Sequence, residues 1–470
     1  MRASRLRVRL RKYAVLRARR AIPEGLVPRS LRRRSAEPSA GGELSALCTR
    51  HARQNRSVKI LATAGDPTLY PGTLPRTHLK APALPLLALS YLAFISLGLP
   101  DTVIGVAWPS IRDRFGLSQA GLGAVLTVGV AGYAVSSILA GRIVVRFGVG
   151  RLLAASSAFV AIGLFGYASA SRWAQFVPMA AVIGLGSGAI DASLNGWAAR
   201  HIPVRHVNWL HACWSVGATA GPAMMTAVLA HGASYQVGYV LLACALGAMA
   251  LAFAATRRAW EDDGAAGGTG VLHAGAAEAL RTGRVWLQIV LFFIYTGLEA
   301  GTGQWCFTVL REARGLDIEV AGAWTAGYWG SILAGRVVLG FVVDRAGPDR
   351  LLRGATVTAL AGAVLFASSG GPLGRLGLVL LGASLAPMFP TLMSRTPDRV
   401  GHHLAPHSVG FQVGAATLGS AAVPALFGLL AAAAGIRTIG AAVAVVALIL
   451  LALHEGLLAA TRPSDGDRPR

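Results

Sequence analysis

Twelve long apolar stretches separated by short polar ones organise residues 84–460. Six begin near Leu84, Ser118, Leu152, Ala174, Asn208 and Ser234, and six more near Val285, Val320, Leu351, Leu376, Ala405 and Arg437. Each matches the roughly 20 residues that an α-helix needs to cross the hydrocarbon core of a bilayer. The longest polar interval, residues 257–284, follows the sixth and carries Glu261, Asp262 and Asp263 beside a Gly/Ala-rich patch. The pattern predicts an all-α membrane protein with twelve transmembrane helices in two six-helix halves, 84–256 and 285–460. A central cytoplasmic loop joins the halves, and residues 461–470 form a short cytoplasmic tail.

The halves repeat. A shift of 199 residues superposes Gly98-Leu99 on Gly297-Leu298, Gly116-Leu117 on Gly315-Leu316, Arg146 on Arg345, Gly148 on Gly347 and Arg151 on Arg350. Parallel repeats of this kind mark transporters whose substrate site lies near the bilayer midplane, between the repeats.

Composition agrees with a membrane protein. The chain is 54% hydrophobic and 14% charged, whereas soluble domains carry about 25% charged residues. Its 58 glycines suit helices that pack through small residues. The four cysteines (Cys48, Cys213, Cys244, Cys306) form no CxxC pattern or Cys/His cluster, so neither a disulfide framework nor a zinc site is expected. No phosphate-cradling G-x-x-x-x-G-K-[ST] and no catalytic triad or metal cluster is visible, which argues against an ATP-driven pump, an enzyme or a cofactor.

The formal charge of +23 suggests nucleic acid until it is located. Residues 1–80 hold 19 Lys+Arg against 4 Asp+Glu, so the basic character belongs to an N-terminal extension and not to the helical body. With Arg32, Arg33 and Arg34 and no sustained apolar core, this extension is not a secretory signal. It fits a disordered arm on anionic lipid, a transit peptide, or a mis-assigned start upstream of a chain beginning near Leu79–Leu84, the reading favoured here. The expected partners are a lipid bilayer, a small solute and a coupling ion, not nucleic acid, with the protein acting as a monomer.

Fourteen arginines lie in the loops on the side of the termini and seven in the opposite loops. The positive-inside rule then puts both termini in the cytoplasm of a cell whose inner (plasma) membrane holds the protein.

One position stands out against this apolar background. Asp191 interrupts the run Val182–Trp197, where a charge at the bilayer centre costs about 2.5–3.5 kcal/mol on insertion scales. Such a residue is kept where it faces a protein interior or a watery cavity, which makes it a candidate proton or ion site. Asn195, four residues on, shares its helix face. Asp101 follows Pro100 in the first run, where a proline frees a backbone carbonyl. Glu299 lies one residue from the repeat equivalent of Asp101 and is followed by Gln304 and Trp305, an amide fork and an aromatic face suited to a sugar. His211, Tyr328, Trp329 and Arg336 are weaker candidates.

The loop after the second helix of each half resembles the G-x-x-x-D-R-x-G-R-R signature of the major facilitator superfamily. The second half carries Gly340, Asp344, Arg345, Gly347 and Arg350, and the first carries Gly141, Arg146, Gly148 and Arg151 with Val145 in place of the acid. The resemblance implies a conformational latch built on Asp344 in the C-half and leaves Arg146 and Arg151 without their acid in the N-half. Three stretches are similar to the fucose/glucose/mannose–proton symporter branch: Leu97–Ile111, Gly188–Asn195, and Ala386–Leu392 running on to Gly410–Gly414. That similarity implies proton coupling through Asp191 and Asp101 and substrate contacts at Asn195 and Gln412, beside the substrate contacts expected at Gln304, Trp305 and Glu299 from their chemistry and the repeat. The resulting expectation is an alternating-access, proton-coupled symporter of a small polar solute such as a hexose. A drug–proton antiporter of the same superfamily and a transport-inactive sensor are the alternatives.

Overall fold

The apolar runs become helices in the order in which they occur. The computed structural model describes residues 84–202, 204–260, 273–368 and 370–461. The basic N-terminal extension, most of the central interval and residues 462–470 lie outside these described residues. The long helices are α1 (Leu84–Phe115), α2 (Gly121–Phe147), α3 (Val149–Ser169), α4 (Trp173–His201), α5 (Val204–Ala230) and α6 (Tyr235–Thr256) in the first half. The second half has α7 (Gly283–Thr308), α8 (Ile318–Ala346), α9 (Pro348–Ser368), α10 (Pro372–Leu385), α11 (Ala405–Ala434) and α12 (Thr438–Ala460). Among the described residues, eleven helices are long and apolar enough to cross a membrane. Helix α8, with 29 residues, completes the twelve. A short helix, His273–Leu280, precedes α7.

Glycine positions explain why the connections repeat. Gly116 and Gly315 end α1 and α7 regions with φ of 63° and 68°, and Gly148 and Gly347 turn α2 into α3 and α8 into α9 with φ of 83° and 81°. Those left-handed conformations cost any residue with a Cβ about 1–2 kcal/mol. The same turn is therefore encoded by the same residue in each half.

Each half packs in the same way. Helix α1 lies against α5, α2 against α4 and α3 against α6, and in the second half α7 lies against α11, α8 against α10 and α9 against α12. Between halves, α1 meets α7, α2 meets α11 and α5 meets α8, the pairing a two-fold pseudo-symmetry requires. Small residues allow the close approaches. A Cβ on Gly98 would stand 2.1 Å from the Trp214 carbonyl oxygen, and one on Gly419 would stand 2.1 Å from that of Phe293.

We call the face carrying the loops after α1, α3, α5, α7, α9 and α11 the odd-loop face, and the opposite face the even-loop face. Close contacts between the halves gather toward the odd-loop face. There Gly105 lies against Gln304, Gly123 against Ala425, Gly322 against Thr226 and Gly428 against Gln119. Two helices deviate locally. The end of α7 widens into a π-turn at Val309–Ala313, and α10 breaks at Ala386-Pro387 before resuming as Met388–Ser394. Pro387 lacks the N–H that would continue the ladder.

Candidate solute cavity

A cavity of about 430 Å³ lies between the halves. Helices α1, α2, α4 and α5 supply Asp101, Tyr133, Asp191, His211 and Trp214, and α7, α8 and α11 supply Tyr295, Glu299, Gln304, Trp329, Arg336 and Ser420. Phe389, after the α10 break, adds an aromatic wall and packs edge-on to Phe292.

The N-half wall is built by glycine spacing. A Cβ on Gly184 would fall 2.0 Å from the Gly129 carbonyl oxygen, and one on Gly188 would fall 2.3 Å from that of Tyr133. Helix α4 can therefore lie directly on α2, which brings the Tyr133 hydroxyl to 2.6 Å from Asp191 Oδ2, to which it donates. Asn195 Nδ2 donates to Asp191 Oδ1 at 2.9 Å, as the four-residue spacing predicts. Asp191 thus receives one hydrogen bond on each oxygen while facing the cavity. His211 stands within electrostatic reach of it.

Asp101 is exposed into the same cavity and accepts from Trp214 Nε1 at 3.1 Å. Its own backbone carbonyl accepts from Gln304 Nε2 at 2.8 Å, so Gln304 ties α7 to the proline-containing stretch of α1 across the two halves. On the C-half side, the Tyr295 hydroxyl donates to Glu299 Oε2 at 2.7 Å, and Arg336 Nη2 lies 3.7 Å from Glu299 Oε1. Arg336 also reaches into the N-half. Its Nη1 donates to Ser215 Oγ at 2.7 Å, and its guanidinium stacks over the Trp214 ring at 5.5 Å. One cation thereby joins the acid of α7 to the wall of α5.

Of the residues expected from sequence, the structure brings Asp101, Asp191, Glu299 and Gln304 to this cavity, with Asn195 behind Asp191. Trp305 and Gln412 are placed elsewhere. Trp305 is fully buried and donates its indole N–H to the Pro424 carbonyl at 2.9 Å, because neighbours 304 and 305 on an α-helix point about 100° apart. Gln412 is fully buried in the C-half, where its Nε2 donates to Gln288 Oε1 at 3.1 Å and its Oε1 accepts from Thr396 at 3.1 Å. Glu299 lines the cavity but is already held by Tyr295 and Arg336.

Three cavity residues escaped the sequence reading. Tyr295 precedes Glu299 by four residues, a helical spacing that was visible. Tyr133 and Trp214 are 58 and 113 residues from their acids, and only the fold joins them.

The residues expected to form a latch lie at the even-loop face. Arg146 is exposed and stacks over Phe147 at 5.4 Å, and Arg151 and Arg345 are exposed. Of Gly340 and Asp344 only the helical backbone is among what the structure describes. Among the described residues, the acid of this loop that forms ion pairs is Asp349, two positions beyond Gly347. It binds Arg395 at 2.9 Å and Arg399 at 3.0 Å, joining the start of α9 to the segment after α10. Burial pushes the Arg399 guanidinium below its usual pKa, and the Asp349 carboxylate pulls it back up.

Against known proteins, a family model described as Major Facilitator Superfamily matches residues 90–417. The curated protein Bypass of stop codon protein 6 of Saccharomyces cerevisiae is 23% identical over 406 residues, which cover 78% of this chain and 81% of that protein. The solved nucleoside transporter NupG superposes with a TM-score of 0.66 at 15% identity, over 81% of this chain and 99% of its own. The E. coli fucose:proton symporter FucP gives a TM-score of 0.55 at 18% identity, over 80% of this chain and 98% of its own. At these identities the structures establish the shared fold alone.

Proposed function

This chain belongs to the Major Facilitator Superfamily, and on that premise we propose that it is a proton-coupled symporter that carries a small polar solute, such as a hexose, through the cavity between its halves. The family and the fold make it a multi-pass membrane transporter and not an enzyme. The observation that carries the finer reading is Asp191, a carboxylate in the middle of a membrane-spanning helix that opens on the same cavity as Asp101, Trp214 and Gln304. A charge at that depth is costly and marks an ion or proton path. Both Asp191 oxygens carry neutral hydrogen-bond donors, Tyr133 and Asn195, and among the described residues neither is paired with a cation at ion-pair distance. That surrounding suits a group that gains and loses a proton better than a fixed ion pair.

In this reading Asp191 and Asp101 exchange the coupling proton while Gln304 and the aromatic walls hold the solute. Close contacts between the halves gather toward the odd-loop face, extracellular by the arginine distribution, which supports release of the proton and solute by the even-loop face. The likeness to FucP supports the sugar assignment, since that protein is a fucose:proton symporter. The likeness to NupG keeps nucleosides among solutes to be assayed. Purified protein in liposomes tests the proposal. Radiolabelled hexose should accumulate when an inward proton gradient is imposed, with or without sodium. Accumulation that follows sodium, or dye extrusion without hexose uptake, would replace the reading.

A further inference from the structure

The two halves carry different chemistry at one set of matching positions. Near the odd-loop face of the N-half, Phe115 at the end of α1, Tyr167 of α3 and Phe176 of α4 form an aromatic stack. The Tyr167 and Phe176 rings lie 4.0 Å apart, and Phe115 meets Phe176 at 5.8 Å. The 199-residue shift carries these three residues onto Arg314, Phe366 and Arg375 of the C-half. Two of the three aromatic positions hold guanidinium groups instead.

Those guanidiniums are held in place but not neutralised. Arg314, in the loop before α8, lies over the Phe366 ring at 4.5 Å and donates from Nη2 to the Phe366 carbonyl near the end of α9. Arg375, in the first turn of α10, lies over the Trp324 ring at 5.6 Å. Among the described residues no carboxylate pairs with either. Burial, and then the Arg375 guanidinium, push Arg314 below its usual pKa, the effect of a like charge close by. Both residues are half-buried, and the terminal nitrogens of Arg375 stay open without a hydrogen bond to a described residue. Rings alone satisfy the packing at this place in the N-half, so packing does not account for the paired charge.

We infer that Arg314 and Arg375 form a binding site for the phosphate of an anionic phospholipid, whose acyl chains lie along α10. Guanidiniums bind phosphate through forked, charge-assisted hydrogen bonds. The surroundings select a lipid. Helix α10 runs into the membrane from this point, and Leu373, Leu376 and Leu380 are exposed along one of its sides by 62%, 54% and 38%. In a membrane-spanning helix that strip faces acyl chains, and Arg375 stands beside its outer end, at headgroup depth. Soluble phosphate shares the headgroup chemistry but leaves the leucine strip unused. The site lies apart from the solute cavity, which neither arginine lines, so it does not depend on what that cavity carries.

Native mass spectrometry of the full-length protein in detergent, with melting temperatures followed alongside, tests the site. The probes are phosphatidylglycerol, phosphatidylcholine and inorganic phosphate. Wild type should retain phosphatidylglycerol more strongly than phosphatidylcholine. Arg375→Gln should weaken retention of the most tightly held phosphatidylglycerol about fivefold, the worth of one arginine near a membrane surface. The double variant Arg314→Phe, Arg375→Phe installs the rings of the N-half. It should keep a cooperative melting transition and lose the rise in melting temperature that phosphatidylglycerol gives the wild type. If the double variant does not fold, Arg375→Gln decides alone. Equal retention of phosphatidylglycerol by wild type and Arg375→Gln overturns the site. Equal retention of both lipids by the wild type overturns the charge recognition. A melting shift with inorganic phosphate as large as that with phosphatidylglycerol shows a soluble-anion site and overturns the lipid.

Discussion

Arg112, at the end of α1, places its Nη1 2.9 Å from both carboxylate oxygens of Glu312, which the π-turn after α7 presents. Gln119 Nε2 donates to the same carboxylate at 2.9 Å, and Gln119 Oε1 accepts from Trp108 Nε1 at 3.0 Å. The two halves are thereby bolted together on the odd-loop face, one repeat-related helix end to the other. Both side chains of the pair are partly exposed, 18% and 28%, so the bond belongs among pairs worth about 1 kcal/mol or less. That is enough to move an equilibrium between two conformations about fivefold. Arg112→Gln and Glu312→Gln should each raise labelling of a cysteine placed at cavity position Ala300 by a reagent applied from the odd-loop side. The double variant should label no faster than either single one. Labelling at the wild-type rate in both singles would show that the backbone contacts hold this face without the bolt.

Arg336 plays the corresponding part deeper in the protein. It is shared between Glu299 of its own half and Ser215 of the other, so a change in the charge of Glu299 alters the grip of α8 on α5. Arg336→Gln strands the Glu299 carboxylate in a part-buried site, at a cost of about 1–3 kcal/mol, below that of a fully buried pair. Glu299→Gln strands a side chain that retains Ser215 and the Trp214 face. Thermal unfolding should therefore rank Arg336→Gln below Glu299→Gln, and the double variant should regain much of the loss. Equal melting points in all three variants would remove the pair from the stability of this conformation.

Asp191→Asn keeps the size of the side chain and removes its charge change. Proton-driven accumulation should disappear, while solute-for-solute exchange across the liposome membrane continues at a measurable rate. Tyr133→Phe should weaken accumulation without abolishing it, since Asn195 still holds the other carboxylate oxygen. Concentrative uptake by Asp191→Asn at the wild-type level would shift the coupling role to Asp101.

Twelve helices and their two-fold repeat were legible because lipid enforces them. Apolar length fixes each span, and Gly116, Gly148, Gly315 and Gly347 mark turns that only glycine adopts cheaply. Asp191 and Asp101 were legible for the same reason, as charges that lipid would reject. Which polar residues face the cavity was not legible. Gln304 and Trp305 are adjacent in sequence and point apart, and Gln412 carries the right chemistry on the wrong side of α11. Helix rotation about its own axis is set by packing against other helices, and no local spacing encodes it. The pairing of Tyr133 with Asp191 likewise depends on Gly188 letting α2 and α4 touch, a contact between distant segments.

Gln412 turns that difference into a measurement. Its amide closes a buried triangle with Gln288 and Thr396, linking α7, α11 and the segment after α10. Gln412→Ala leaves Gln288 Oε1 and the Thr396 hydroxyl with weaker or no partners in an apolar interior, at about 1–3 kcal/mol per unmatched group. Gln412→Leu fills the space but restores neither of the two hydrogen bonds that Gln412 makes, so it should rescue little. Both variants should therefore melt well below the wild type while binding hexose with nearly wild-type affinity. Gln304→Ala should behave in the opposite sense, with its main loss in solute affinity. A Gln412 variant that keeps its melting point and loses affinity would place this amide back in the solute path.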